Sequence, residues 1–184
     1  MTLPNVLTLL RILAIPFFAI ALWYGHLGKA CALFAAAGFT DLLDGYIART
    51  FDMKSELGAI LDPVADKLLM TTAFVLMAWP RGHYVAPVPV WVAILAISRD
   101  VVISLFALTN YARGGSLKGT PSMLGKVTAA TEMVALSFGL LMNAQGPMPW
   151  QRWLNPWMYY LVAALVLASG IHYFLRSHQE PREA

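Results

Sequence analysis

The chain has 184 residues, of which 59% are hydrophobic and only 12% are charged, and its formal net charge is +3. A soluble globular domain carries about a quarter charged residues, so this composition excludes an ordinary soluble protein and indicates an integral membrane protein. The single cysteine, Cys31, excludes an internal disulfide framework. We expect one membrane domain over residues 1–184, with 177–184 as a polar tail, and no nucleic-acid partner.

Six apolar runs follow one another along the chain, separated by glycine, proline and polar clusters. Each run is near the roughly 20 residues that a bilayer core requires of a helix. The sequence therefore predicts an all-α integral membrane fold, a bundle of six transmembrane helices. The predicted spans are 4–24, 29–49, 57–79, 85–111, 122–143 and 156–176.

Lysine and arginine are distributed unevenly between the two ends of these helices. The end that holds both termini has six of them, and the other end has three. The positive-inside rule then places both termini and the 50–56 connection in the cytoplasm. No cleavable signal or transit peptide is evident, because Leu3 already begins the first apolar run, which favours a bacterial inner-membrane protein or a processed organellar one. The six lysines and arginines at the end with both termini are Arg49, Lys54, Arg113, Lys118, Arg176 and Arg182. The three at the other end are Lys29, Arg81 and Arg152.

Six of the ten acidic residues lie in the stretch 40–67, between two runs long enough to be buried in a membrane. Four of them form two pairs, Asp41 with Asp44 and Asp62 with Asp66. Spacings of three and four place each pair on one face of a helix. Four carboxylates that converge inside a membrane repel one another unless a cation neutralises them. We therefore expect these four side chains to form a divalent metal site at two antiparallel helix ends.

The ligand types of this stretch favour a particular chemistry. Carboxylate oxygens suit Mg²⁺ or Mn²⁺, whereas zinc prefers histidine or cysteine, and no histidine lies in the motif. Two such ions a few Å apart can clamp both oxygens of an in-line displacement at a diphosphate. Gly45, Ala48 and Gly58 leave room for close approach by a nucleotide or by another helix. Arg49 is placed to meet a diphosphate or to anchor the helix at the interface.

The acids, glycines, alanine and arginine together form a motif of eight fixed positions. It reads Asp41-x-x-Asp44-Gly45-x-x-Ala48-Arg49, then eight residues, then Gly58-x-x-x-Asp62-x-x-x-Asp66. In this motif the chain resembles the CDP-alcohol phosphatidyltransferase family. The resemblance implies a dimeric six-helix membrane enzyme that transfers a phosphatidyl group from CDP-diacylglycerol to an alcohol and releases CMP. It also implies that the four aspartates bind metal and that Asp66 acts as general base.

The acceptor alcohol separates two branches of that family. The acceptor is glycerol 3-phosphate for phosphatidylglycerophosphate synthases and phosphatidylglycerol for CMP-forming cardiolipin synthases. Arg99 and Lys126 are candidates for binding its phosphate, while Ala107 and Thr128 stand where the synthase branch supplies two further cations. A diester carries one negative charge and a phosphomonoester up to two, so two cations favour phosphatidylglycerol. Glu132 stands where both branches often have glutamine. The opening Asn5-x-Leu7-Thr8-x-x-Arg11 also resembles the glycerophospholipid branch.

A function of another class is compatible with the same acids. Acidic side chains inside a membrane are as typical of ion pathways as of catalysis, so a non-enzymatic cation-conducting protein stays an alternative. The neighbouring charges of Arg99 with Asp100, and of Lys126 with Glu132, would also serve as ion pairs that only hold the bundle together. Release of CMP from CDP-diacylglycerol separates the enzyme from the conductor, because transport needs none.

Overall fold

A computed structural model describes residues 3–50, 56–79, 84–112, 122–146 and 148–179, and within these ranges the chain is helical without any strand. The predicted all-helical fold is confirmed. Most of the cations that set the predicted orientation, among them Lys54, Arg81, Arg113, Lys118 and Arg182, lie outside the described residues. The helices are α1 (Leu3–Trp23), α2 (Leu27–Thr50), α3 (Glu56–Ala78), α4 (Val90–Ala112), α5 (Met123–Gln145) and α6 (Gln151–Gln179).

Three stretches of the described helices are long and apolar enough to cross a membrane: Asn5–Trp23, Met123–Gln145 and Trp153–Leu175. Large apolar side chains on them are exposed, such as Phe17 at 65% and Trp153 at 78%, as expected of helices that face lipid. The other three helices carry the aspartates or the Arg99–Asp100 pair and are not among these stretches. Membrane crossing by α2, α3 and α4 stays a prediction.

Two predicted helix starts are wrong. Helix α4 begins at Val90 instead of 85, because prolines 87 and 89 interrupt the approach and the Asn143 side chain binds the backbone there. Helix α6 begins at Gln151 instead of 156, so Pro156 lies inside it. The carbonyl of Trp150 accepts the N–H groups of the first turn at 3.1 and 3.2 Å, which starts the helix before the proline is reached.

The chain divides into two compact units, Met1–Pro87 with Leu136–Met148 and Val88–Ala135 with Pro149–Ala184. In the first unit α1 packs against both α2 and α3, around buried residues that include Phe18 and Phe34. In the second unit α4 packs against α6, with Val92 and Val166 in its core. A single domain over the whole chain stays a prediction.

A tight turn sets the register between α1 and α2. Gly25 has φ of 73°, and the N–H of His26 donates to the carbonyl of Ala21 at 2.8 Å while that of Gly25 donates to Leu22 at 3.1 Å. This is a Schellman ending, in which a glycine takes the left-handed conformation just past the helix. The chain reverses within a few residues, so α2 runs antiparallel to α1. A residue near the middle of α1 therefore lies beside the second half of α2, where the aspartates are.

Candidate active site

The four predicted aspartates lie on two helices of the first unit, Asp41 and Asp44 on α2 and Asp62 and Asp66 on α3. Their exposure differs. Asp44 is buried, with 4% of its side chain exposed, whereas Asp41 exposes 35% and Asp66 exposes 49%. Asp44 is therefore enclosed by protein, while Asp41 and Asp66 are open to a ligand.

A buried arginine of α1 joins three of the aspartates. The side chain of Arg11 is fully buried. Its Nη1 lies 2.8 Å from Asp41 Oδ1 and 2.9 Å from Asp66 Oδ1, and its Nη2 lies 2.6 Å from Asp44 Oδ2. A guanidinium presents its donors in a fixed planar fork, so these contacts fix the positions of the carboxylates relative to one another.

The fourth aspartate is bound by the same helix. The hydroxyl of Thr8, one turn before Arg11 and fully buried, donates to Asp62 Oδ1 at 2.6 Å. Helix α1 therefore contacts all four acids, and its Thr8 and Arg11 were not predicted as site residues. The available signal was an arginine inside the first apolar run, because a charge there normally faces a polar partner.

The donor set fits a hard divalent cation. It consists of carboxylate oxygens, and two of them, from Asp41 and Asp66, meet at one nitrogen of Arg11. Among the described contacts, one guanidinium faces three of these four carboxylates, and a divalent ion would offset an excess of negative charge. Within the described ranges no group of three or more acid, histidine or cysteine side chains is arranged to hold a metal as it stands. The guanidinium lies among the carboxylates instead.

The remaining motif residues flank the acids. Gly45 follows Asp44 on α2 and is partly exposed, and Gly58 lies in the first turn of α3 and is buried. Ala48 and Arg49 belong to α2, but their side chains lie outside the described part of the structure. Binding of the nucleotide substrate by these four residues stays a prediction.

The predicted acceptor residue Arg99 is held by two partners in the second unit. Its Nη1 donates to Asp100 Oδ1 at 2.7 Å. On the other edge, Nε and Nη2 donate to the hydroxyl of Ser169 on α6, at 3.0 and 2.8 Å. Ser169 is buried, so it fixes the guanidinium from inside the unit. Ser169 was not predicted as a site residue, since a serine 70 residues away gives no local signal.

The start of α5 passes close to this guanidinium. A Cβ on Gly125 would lie 3.3 Å from Arg99 Nη2 and 3.3 Å from Ser122 Oγ, which is tighter than ordinary van der Waals contact. The Ser122 hydroxyl accepts the N–H of Gly125 at 3.1 Å and so caps the helix. Glycine is thus the residue that lets α5 approach Arg99. The second predicted acceptor residue, Lys126, follows directly and is exposed.

Thr128 and Glu132 lie one and two turns further along α5, and both are buried. The Thr128 hydroxyl donates to the carbonyl of Leu124 at 2.8 Å and lies 3.3 Å from that of Leu165 on α6. Position 128 therefore packs between two helix backbones. A lysine there would have to bury its charge among carbonyl groups, so this position offers no cation to a ligand.

Comparison with known proteins assigns the chain to a family. Residues 1–170 match the family model described as CDP-alcohol phosphatidyltransferase. A cardiolipin synthase (CMP-forming)/mitochondrial hydrolase fusion protein of Schizosaccharomyces pombe is 34% identical over 94% of this chain and 30% of its own length. CDP-diacylglycerol–glycerol-3-phosphate 3-phosphatidyltransferase 2 of Arabidopsis thaliana is 38% identical over 74% of this chain and 63% of its own length.

A third relative is matched over nearly its full length. The CDP-diacylglycerol–glycerol-3-phosphate 3-phosphatidyltransferase of Escherichia coli K12 is 32% identical over 93% of this chain and 92% of its own. The chain thus spans about a third of the yeast protein and under two thirds of the plant protein. The family is membrane-embedded and uses divalent metal ions. With its motif of acids on α2 and α3 and a family match over residues 1–170, this chain belongs to the CDP-alcohol phosphatidyltransferases.

Proposed function

We propose that the protein transfers the phosphatidyl group of CDP-diacylglycerol to an alcohol and releases CMP. The observation that carries this proposal is the cluster of four motif aspartates, all bound by α1 through Arg11 and Thr8. Membership of the family favours this enzyme over the cation-conducting alternative.

The cluster would hold two divalent ions, Mg²⁺ or Mn²⁺, with Asp41, Asp44, Asp62 and Asp66 as ligands. When bound, these ions neutralise negative charge on the diphosphate during its displacement. Buried Asp44 would keep the site in place, because its carboxylate is enclosed by protein and already fixed by Arg11. The fit rests on the all-oxygen donor set and on the excess of negative charge.

Asp66 is the residue we assign as general base. A base must come within hydrogen-bond reach of the acceptor hydroxyl, and the Asp66 side chain is about half exposed, in contrast to buried Asp44. In the reaction the acceptor oxygen bonds to the phosphatidyl phosphorus, and the bond from that phosphorus to the bridging oxygen of CMP breaks. The proton of the hydroxyl passes to Asp66, and CMP leaves with the bonding electrons.

The nucleotide part of the donor substrate would lie along the small residues of the motif. Gly45, Ala48 and Gly58 present no bulky side chain, which allows a cytidine diphosphate close to the helix backbones. Arg49 would bind the diphosphate. These roles follow the family motif residue by residue.

For the acceptor we propose phosphatidylglycerol, which would give cardiolipin. Arg99 and Lys126 are the candidate cations, and Arg99 already shares its charge with Asp100 at 2.7 Å. Buried Thr128 adds none. Such a site suits a phosphodiester of one negative charge better than a phosphomonoester of up to two. The alternative acceptor is glycerol 3-phosphate, the alcohol in the names of the plant and E. coli relatives.

We also propose that the protein is a homodimer in a bacterial inner membrane, with its active site on the cytoplasmic side. The orientation rests on the excess of lysine and arginine at the end that holds both termini. The dimer is carried over from the family resemblance.

The metal-dependent chemistry can be tested on the purified protein in detergent with CDP-diacylglycerol and phosphatidylglycerol. We expect CMP release to require Mg²⁺ or Mn²⁺ and to stop in excess chelator. Asp41→Ala, Asp44→Ala and Asp62→Ala should each lower turnover by roughly a thousandfold or more, because the metal cage opens. The matched control is Gln145→Ala, at an exposed position near the end of α5. Near-normal turnover in any of the three acid variants would remove the metal site from the proposal.

A further inference from the structure

We propose that Arg11 is the internal counter-cation of the acid cluster. In the metal-free protein its guanidinium takes the place of divalent ions among Asp41, Asp44 and Asp66, and it keeps these carboxylates positioned to receive them. This inference rests on the proposed function, since it assumes that the same acids bind metal. It assigns a positioning role to a residue of α1, outside the acid motif.

The first argument is the number of partners. A guanidinium that only joins two helices needs one carboxylate, but Arg11 contacts three, at 2.6 to 2.9 Å, and they come from both α2 and α3. One positive charge cannot balance three negative charges, and Asp62 adds a fourth beside Thr8. Like charges held this close repel one another, most strongly at buried Asp44, so the cluster is only partly neutralised by Arg11 and has capacity for further cations.

The second argument is that Arg11 has no access to a substrate. Its side chain is 0% exposed, and both terminal nitrogens are occupied by carboxylates. Its Nε is also buried and has no hydrogen-bond partner among the described residues. An arginine that binds a diphosphate presents its fork to solvent or to a cleft. Arg11 instead presents its fork to the carboxylates, so it acts through them.

The third argument is the position of Arg11 in the unit. Helix α1 packs against both helices that carry the acids. Without a cation between them, repulsion among the carboxylates would push α2 and α3 apart. Arg11 therefore stabilises the metal-free helix packing, and metal ions relieve the same repulsion. Arg11 and the metal ions are therefore partly redundant, so the effect of removing Arg11 should depend on whether metal is present.

The test is a thermal unfolding cycle on the full chain in detergent, comparing wild type with Arg11→Gln in EDTA and in saturating MgCl₂. We expect Arg11→Gln to lower the unfolding temperature by roughly 10 °C in EDTA, since it leaves buried Asp44 and the partly exposed Asp41 and Asp66 without their cation. In MgCl₂ we expect less than half of that loss. The control, Thr72→Val on α3, removes a hydroxyl that donates to the Leu68 carbonyl away from the cluster, and its effect should be the same in both buffers.

Arg11→Lys keeps the positive charge but loses the planar fork of donors. If the glutamine variant does not accumulate, the same thermal unfolding comparison is made with the lysine variant. We expect the unfolding temperature to fall less in the lysine variant than in the glutamine variant when both are in EDTA. The fall in the lysine variant should again be smaller in MgCl₂ than in EDTA. If the unfolding temperature of the purified variant falls equally in the two buffers, Arg11 is an ordinary structural arginine. That result overturns the proposal and leaves the metal site unaffected. If MgCl₂ does not stabilise wild type at all, the metal site itself fails, and the role of Arg11 falls with it.

Discussion

Gly125 packs closely against the candidate acceptor residue Arg99, and the substitution Gly125→Ala tests whether Arg99 binds the acceptor. The new methyl group would lie 3.3 Å from both Arg99 Nη2 and Ser122 Oγ, so one or both must shift by a few tenths of an ångström. The end of the Arg99 side chain can shift to make room, but this movement lengthens its hydrogen bonds to Ser169. Hydrogen bonds to charged groups contribute about 1.5–3 kcal/mol, and we expect a partial loss of about 1 kcal/mol.

Binding an acceptor phosphate at the original position of Arg99 then costs that free energy, which corresponds to about a fivefold rise in the apparent KM for the acceptor. The unfolding temperature should change little, because alanine is favoured over glycine inside a helix by about 0.5–1 kcal/mol, which offsets most of the weakened contacts at Ser122 and Ser169. The assay is CMP release in mixed micelles at varied acceptor concentration, beside the unfolding temperature. Ser169→Ala, which removes the other support of Arg99, should raise KM in the same direction.

The matched control is Gly170→Ala, the same change one residue after Ser169, where a Cβ would meet nothing within 4 Å. It should leave KM unchanged. An unchanged KM in both Gly125→Ala and Ser169→Ala would refute the placement of the acceptor phosphate at Arg99.

Three further predictions follow from other parts of the chain. Asp66→Asn should keep CDP-diacylglycerol binding but lose transfer, and an active variant with an unchanged pH profile would contradict its role as base. Asn143→Ala should lower the free energy of unfolding by about 2–4 kcal/mol, because the N–H groups of Val85 and Ala86 lose their acceptor at 2.7 and 2.8 Å; denaturation beside Gln145→Ala measures this. A cysteine at position 54 should label from the cytoplasmic side and one at 152 from the opposite side, and the reverse pattern would invert the topology.

The acid cluster could be predicted from the sequence because the two residues of each aspartate pair lie within one helical turn of each other. Spacings of three and four put Asp41 with Asp44 and Asp62 with Asp66 on helix faces, and the structure places both pairs on helices. The contribution of α1 was not predicted as part of the site. Thr8 and Arg11 reach their partners across 30 to 55 residues of chain, and no periodicity within α1 says which helix will lie beside it.

The starts of α4 and α6 also could not be predicted from the local sequence pattern. The apolar pattern continues through 85–89, but a side chain from Asn143 competes for the backbone N–H groups there, so α4 begins later. Before Pro156 the pattern is rich in tryptophan and polar residues, yet the chain is helical from Gln151. Close approach at Gly125 is likewise invisible in sequence, since it depends on where the Arg99 side chain lies. Long-range packing decides each of these features.

The central claim is that the acid cluster transfers a phosphatidyl group to an alcohol, with phosphatidylglycerol preferred. The most direct measurement incubates the purified protein and CDP-diacylglycerol with phosphatidylglycerol or with glycerol 3-phosphate, with and without chelator, and identifies the lipid products by mass. We predict metal-dependent CMP release in step with cardiolipin, faster than any phosphatidylglycerophosphate. Efficient phosphatidylglycerophosphate formation without cardiolipin would contradict the choice of acceptor, and no CMP release with either alcohol would contradict the claim itself.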